Sequence, residues 1–175
     1  MQDKSISFDF ESNQVEMFTK KNCKELLSII EKIEYTINKL YKRKYQFSIY
    51  FVSSETIRNL NNQYRSKNEV TDVLSFSEID LKYPLKFNAG NKKEFKNQNI
   101  AKYIGEIIIC IDKIIERAEI EEDTIENTLV YMIFHSFLHL LGYTHDNEEE
   151  YKIIESKTYE LLRRYISIWV YLAHF

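Results

Sequence analysis

The stretch FHSFLHLLGYTHDNEEE, residues 134–150, places His135, His139 and His145 at offsets of four and ten, so three of the chain's four histidines fall within eleven residues. In a helix, residues four apart share a face, and His135 and His139 can then hold one metal ion together. A third ligand ten residues on reaches the same ion only if the helix stops first. Gly142 supplies the stop, because glycine adopts a positive φ at little cost and turns Tyr143, Thr144 and His145 back toward the pair. Three neutral imidazoles leave a tetrahedral Zn²⁺, one per chain, with an open position for water, as in a catalytic site. A structural site would be closed by a fourth ligand such as Cys, and neither Cys23 nor Cys110 is near in sequence. Reading His135 and His139 as core histidines and His145 as a surface one leaves the helix–glycine–turn spacing unaccounted for. Three imidazoles favour zinc, copper or nickel over magnesium.

The spacing H-x-x-x-H-x-x-G-x-x-H resembles that of the metzincin proteases. Those enzymes need a Glu directly after the first histidine as general base. Here the position is Ser136, and no Met follows His145 to form a Met-turn. A zinc peptidase is therefore disfavoured.

The elements around the histidines read as an α+β domain, a small mixed sheet packed with helices, with the metal site built from a helix and the turn that follows it. SISFDFES (4–11) alternates as a strand, and apolar residues from Leu26 to Ile37 mark an amphipathic helix over about 19–40. YQFSIYFVS (45–53) reads as a buried strand, and Ser54 as the cap of a helix through Ile57, Leu60 and Tyr64. VTDVLSFS (70–77) is a strand, and IGEIIICID (104–112), apolar on both faces, is a central one. A short helix is expected near 113–119, a strong one from Asp123 or Thr124 to Leu141, and a last one from NEEE through Leu161 and Leu162. The Lys- and Asn-rich connection 80–102 is long for a compact domain and is read as mobile or functional.

LNNQYRSKNEVTDVLSFS (60–77), IGEIIIC (104–110) and HSFLHLLGYTH (135–145) together resemble the YbeY family, bacterial zinc-dependent endoribonucleases of ribosomal RNA maturation. The resemblance spans about residues 45–162 of a single domain 1–175, with a further tail from about 163. It implies a zinc site facing a basic cleft, cleavage of single-stranded RNA, maturation of the 3′ end of small-subunit ribosomal RNA, and ribosome quality control. It carries zinc ligation onto His135, His139 and His145, with the water they would hold as the catalytic group, and a phosphate contact onto Arg65. The chain departs from the family at Ser136 (usually Gly), Thr144 (Asp), Val70 (Pro) and Ser77 (Pro). Asp146 is a candidate substitute for the missing carboxylate at 144. Asp72 either orients a ligand histidine through its second nitrogen or caps a strand end. The nucleophile, zinc hydroxide or the RNA 2′-OH, stays open.

Composition bounds the rest. With 175 residues, 44% hydrophobic, only three Gly and one Pro, the chain suits helices with a small sheet. Cys23 and Cys110 lack CxxC spacing and read as reduced thiols of a cytoplasmic protein. MQDKSISFDFES has no apolar run behind a basic start, so no signal peptide is expected. YISIWVYLAHF (165–175) is too short to span a bilayer and reads as helix packed on the domain. The net charge of −3 is unevenly spread: residues 1–102 carry 18 Lys and Arg against 13 Asp and Glu, and residues 103–175 carry 6 against 14. The basic first part, with Lys39–Lys44 and Lys92–Lys96, offers phosphates a face. A non-catalytic ribosome assembly factor, in which zinc only orders the last helices, is the alternative from a different class.

Overall fold

The computed structural model describes residues 5–41, 45–78 and 102–172. The elements run β1 (Ile6–Phe10), α1 (Asn13–Asn22), α2 (Leu26–Tyr41), β2 (Tyr45–Val52), α3 (Ser54–Arg65), β3 (Val73–Ser77), β4 (Lys102–Cys110), α4 (Ile111–Ile120), α5 (Ile125–Leu140) and α6 (Glu148–Leu172). The sheet has the order β1-β2-β4-β3; β1 and β4 flank β2 in parallel, and β3 runs antiparallel to β4. This is the mixed α+β architecture expected, with β4 interior. The connection expected to be mobile or functional, and the lysines at 92, 93 and 96, lie outside the described residues.

Alternation along the interior strands divides the molecule into two unequal cores. Phe47, Ile49 and Phe51 of β2, with Ile107 and Ile109 of β4, enter the larger core beside α2, α5 and α6. Ile108 and Cys110 point to the other face and meet Val52, Leu74 and Ile57 of α3. The register slips between Gln46 and Phe47, where β4 carries one residue more than its partner. At this bulge Gly105 takes φ 139°, and a Cβ there would lie 2.0 Å from the Phe76 carbonyl oxygen. Only glycine allows β3 to approach so closely.

α5 is apolar almost all round, which demands neighbours on every side. Leu129, Val130, Ile133, Phe134, Phe137 and Leu138 are fully buried, and the Phe137 ring meets those of Tyr41, Tyr45 and Phe47. α6 closes the outer side through Ile154 and Leu161, with Leu162 and Tyr165 packed against the same core. Of the stretch 165–175 expected to pack on the domain, Tyr165 does so, and the side chains from 169 on lie outside the described residues.

Two local expectations change. The helix expected over 19–40 is two helices: Ser12 caps α1 by accepting from the Val15 N–H at 3.3 Å, and Cys23 leaves helical geometry at φ −128°. The cap of α3 is Ser53, accepting from the Thr56 N–H at 3.3 Å, and Ser54 is the first helical residue.

Candidate metal centre

Thr124 starts α5 by accepting from the Asn127 N–H at 3.1 Å, and the helix then carries His135 and His139 on one face a turn apart. Its end is a Schellman motif: the Gly142 N–H donates to the His139 carbonyl at 2.9 Å and the Tyr143 N–H to the Leu138 carbonyl at 3.1 Å. Gly142 sits at φ 85°, the left-handed position the motif requires. The reversed chain brings His145 back, with its ring centroid 5.0 Å from that of His139 and 5.9 Å from that of His135. One nitrogen of each imidazole lies within 4.8 Å of the other two.

The outer nitrogens decide which atoms face that common point. Nδ1 of His139 lies 2.8 Å from the Tyr143 carbonyl oxygen, which only accepts, so Nδ1 carries the proton. Nδ1 of His135 faces Thr158 Oγ1 at 3.5 Å and the Glu155 carboxylate at 3.8 Å. The Thr158 hydroxyl already donates to the Ile154 carbonyl at 2.8 Å, leaving a lone pair for a His135 N–H. The Nε2 of His139 is therefore bare, and the two Nε2 atoms stand 3.1 Å apart. With the proton of His135 on Nδ1, both lone pairs face one point, and a tetrahedral zinc site spaces its nitrogens about 3.3 Å apart. The donor set fits a metal ion. Burial, then the charge of neighbouring histidines, lowers the pKa of both His135 and His139 to about 4, so both are neutral imidazoles at neutral pH, able to ligate.

The three histidines open on a cleft of about 700 Å³. Arg65 lines it as the last residue of α3, where Ser66 turns left-handed at φ 57° and donates its N–H to the Asn61 and Asn62 carbonyls. The Asn61 side chain, buried, holds the following loop by donating to the Glu69 carbonyl at 2.9 Å. Arg65 is exposed, and its charge contributes to the low pKa of His139. Asp72 also lines the cleft, but its carboxylate accepts from Arg117 at 3.0 Å and from the Val73 N–H at 2.8 Å, and no hydrogen bond joins it to a histidine. Asp146 stands exposed at the rim. At position 144 the carboxylate comes from elsewhere: the Thr144 hydroxyl donates to Glu150 at 2.5 Å, and the Asp146 N–H donates to the same oxygen at 3.2 Å. Ser136 is wholly buried and offers the cleft no base.

Sequence reasoning missed the layer behind the ligands. Tyr131 stacks on His135 with planes 14° apart and donates its hydroxyl to Glu155 at 2.6 Å. The Arg117 guanidinium lies over the Tyr131 ring at 5.6 Å. Tyr131 had a signal, its place four residues before His135; Glu155, Thr158 and Arg117 had none.

The fold and the site together define an α+β protein with a cluster of three histidines, able to hold a metal ion, in an open cleft. Its fold is similar to that of a Thermotoga maritima protein solved in solution, at 20% identity and TM-score 0.50 over 94% of this chain and 91% of that one. The family described as "Endoribonuclease YbeY" matches residues 7–166, a longer span than the three motifs cover. Relatives bearing that name include one from Geobacillus sp., 34% identical over 92% of this chain and 96% of its own length. Another, from Buchnera aphidicola, is 37% identical over 82% and 84%. The chain belongs to the YbeY endoribonuclease family. Among the described residues, no helix is long and apolar enough to cross a membrane.

Proposed function

We propose that the chain is a zinc-dependent endoribonuclease, a hydrolase of phosphodiester bonds that acts on single-stranded ribosomal RNA in the cytoplasm. Its role is maturation of the 3′ end of small-subunit ribosomal RNA and ribosome quality control. The observation that carries the reading is the convergence of one nitrogen from each of three histidines on one point of a cleft that also holds Arg65. The family membership supports the substrate class.

His135, His139 and His145 would hold the ion, each through one nitrogen, while the Tyr143 carbonyl and the Thr158 hydroxyl fix two of the rings from behind. Bound there, zinc supplies Lewis-acid polarisation of a phosphoryl oxygen and lowers the pKa of water toward about 7. Arg65 binds the phosphate with a planar fork of donors that matches two of its oxygens. Its position on a capped helix end, rather than on a free loop, restricts where the phosphate can sit relative to the histidines. Ser136 is buried and cannot serve as the peptidase base.

The test is cleavage of a defined fragment carrying the 3′ end of small-subunit ribosomal RNA. Zinc-loaded protein should cut it, and metal-stripped protein should not until zinc is returned. Binding without cutting by the loaded protein would overturn the enzyme reading in favour of an assembly factor.

A further inference from the structure

The cleft contains an aromatic surface that the metal centre leaves unused. Tyr64, in the last turn of α3, is 60% exposed, a large fraction for a ring beside a core. Its ring meets that of Phe76 edge to face, with centroids 4.9 Å apart and planes at 68°. Phe76 in turn packs on the smaller core formed by Val52, Ile57, Leu74, Ile108 and Cys110. Tyr64 is therefore braced by a ring anchored in the fold while most of its surface stays open. Both rings line the same cleft as Arg65 and the three histidines. Among the described residues the Tyr64 hydroxyl has no hydrogen-bond partner, so no polar contact accounts for the ring's position.

We infer that Tyr64 is a stacking platform for a nucleobase of the RNA substrate, a positioning residue that acts with Arg65. The inference rests on the endoribonuclease reading and deepens it. Tyr64 and Arg65 line the same cleft, so one strand can lay a base on the ring and offer a phosphate to the guanidinium. Only an unpaired, unstacked base can offer a whole face to a protein ring, so the platform selects single strands over duplex. It selects little among sequences, because every base has a π-face. The rigid support matters: a ring held by Phe76 loses little freedom when a base settles on it.

The test uses the full chain with its metal, and three variants at one position. Tyr64→Phe and Tyr64→Trp keep an aromatic face, whereas Tyr64→Leu keeps apolar cover for Phe76 and removes the π-surface. With a single-stranded RNA oligonucleotide, Tyr64→Leu should raise KM about tenfold while Phe and Trp stay near the parent protein. In parallel, binding is measured for oligonucleotides carrying one abasic position at each site in turn. The parent should lose about tenfold in affinity at one position, and Tyr64→Leu should show no further loss there. Metal content and melting temperature of Tyr64→Leu should match the parent. An unchanged KM, or an abasic penalty that persists in full in Tyr64→Leu, would overturn the inference. The binding scan decides the matter even for protein that cuts nothing, a result that would instead remove the endoribonuclease reading.

Discussion

Arg117 donates from Nη1 to Oδ2 of Asp72 across 3.0 Å, linking α4 to the residue before β3 in the wall of the cleft. The same guanidinium donates from Nε to Glu121 at 2.8 Å, so it is held by two carboxylates. Asp72→Ala should therefore leave metal stoichiometry intact, as read by elemental analysis. The pair is partly exposed, and its loss should cost at most about 1 kcal/mol of stability. Loss of the metal from this variant would return Asp72 to a direct role on a histidine.

His139→Ala should remove most of about one equivalent of bound zinc, because it deletes one ligand of three. Thr158→Val is the subtler change: it keeps every ligand but takes the acceptor from behind His135. Its zinc affinity, measured by competition with a chelating dye, should fall about tenfold. Equal affinity in Thr158→Val would show that Glu155 alone orients the ring.

Arg65→Glu should weaken RNA binding and cleavage, since it turns a phosphate contact into a like-charge repulsion. The side chain is exposed, so unfolding midpoints should shift by no more than about 0.5 kcal/mol. Arg65→Lys should recover part of the binding, as a point charge lacks the two-pronged geometry. Cleavage by Arg65→Glu at the parent rate would make this arginine an ordinary surface residue.

Alkaline pH should expose the buried thiol. Burial, and then the nearby carboxylates of Glu126 and Glu25, push the Cys23 thiol from its ordinary 9.0 up to about 11. Above pH 9 the unfolded chain releases a proton that the folded chain keeps, so stability falls as pH rises toward 11. About 1 kcal/mol should be lost between pH 8 and pH 10 on this account. Urea midpoints of the parent and Cys23→Ala at the two pH values check it: the variant should show the smaller drop. An identical drop would assign the alkaline sensitivity to other groups.

Gly105→Ala should be the most damaging single methyl in the sheet. It places a Cβ 2.0 Å from the Phe76 carbonyl oxygen and holds a residue with a side chain at φ 139°. A cost of at least about 2 kcal/mol is expected in chemical unfolding. A stable variant would mean that β3 can shift away without loss.

What could be read from the residues depended on how local its cause was. The histidine face and the Gly142 stop follow from helical spacing and from one backbone angle, so the centre of the site was visible in eleven letters. β4 was recognisable because a strand buried on both faces needs apolar residues in succession. The break at Cys23 was hidden, since no Pro or Gly marks it within TKKNCKE, residues 19–25. Thr158 and Arg117 were hidden for a different reason: each meets the site through packing of a distant helix, which no spacing along the chain encodes. The contact of Glu150 with the Thr144 hydroxyl was hidden in the same way, since it depends on how the first turn of α6 meets the histidine turn.

The short span of the ligand set also has a kinetic meaning. Pairing β1 with β2 joins Ile6 to Phe47 and β2 with β4 joins Ile49 to Ile107, long closures that must wait for much of the chain. His135 and His145 close a loop of only eleven residues, whose entropy cost is small. The imidazoles are therefore brought together at little entropic cost even in the unfolded chain, where an ion able to bind them could associate as well. Ligation then favours the native state by less than its full binding free energy, since part of the affinity is shared with the unfolded chain. In return, the α5 turn is a low-contact-order seed, able to form early and to bring the three histidines together as the slower strands assemble.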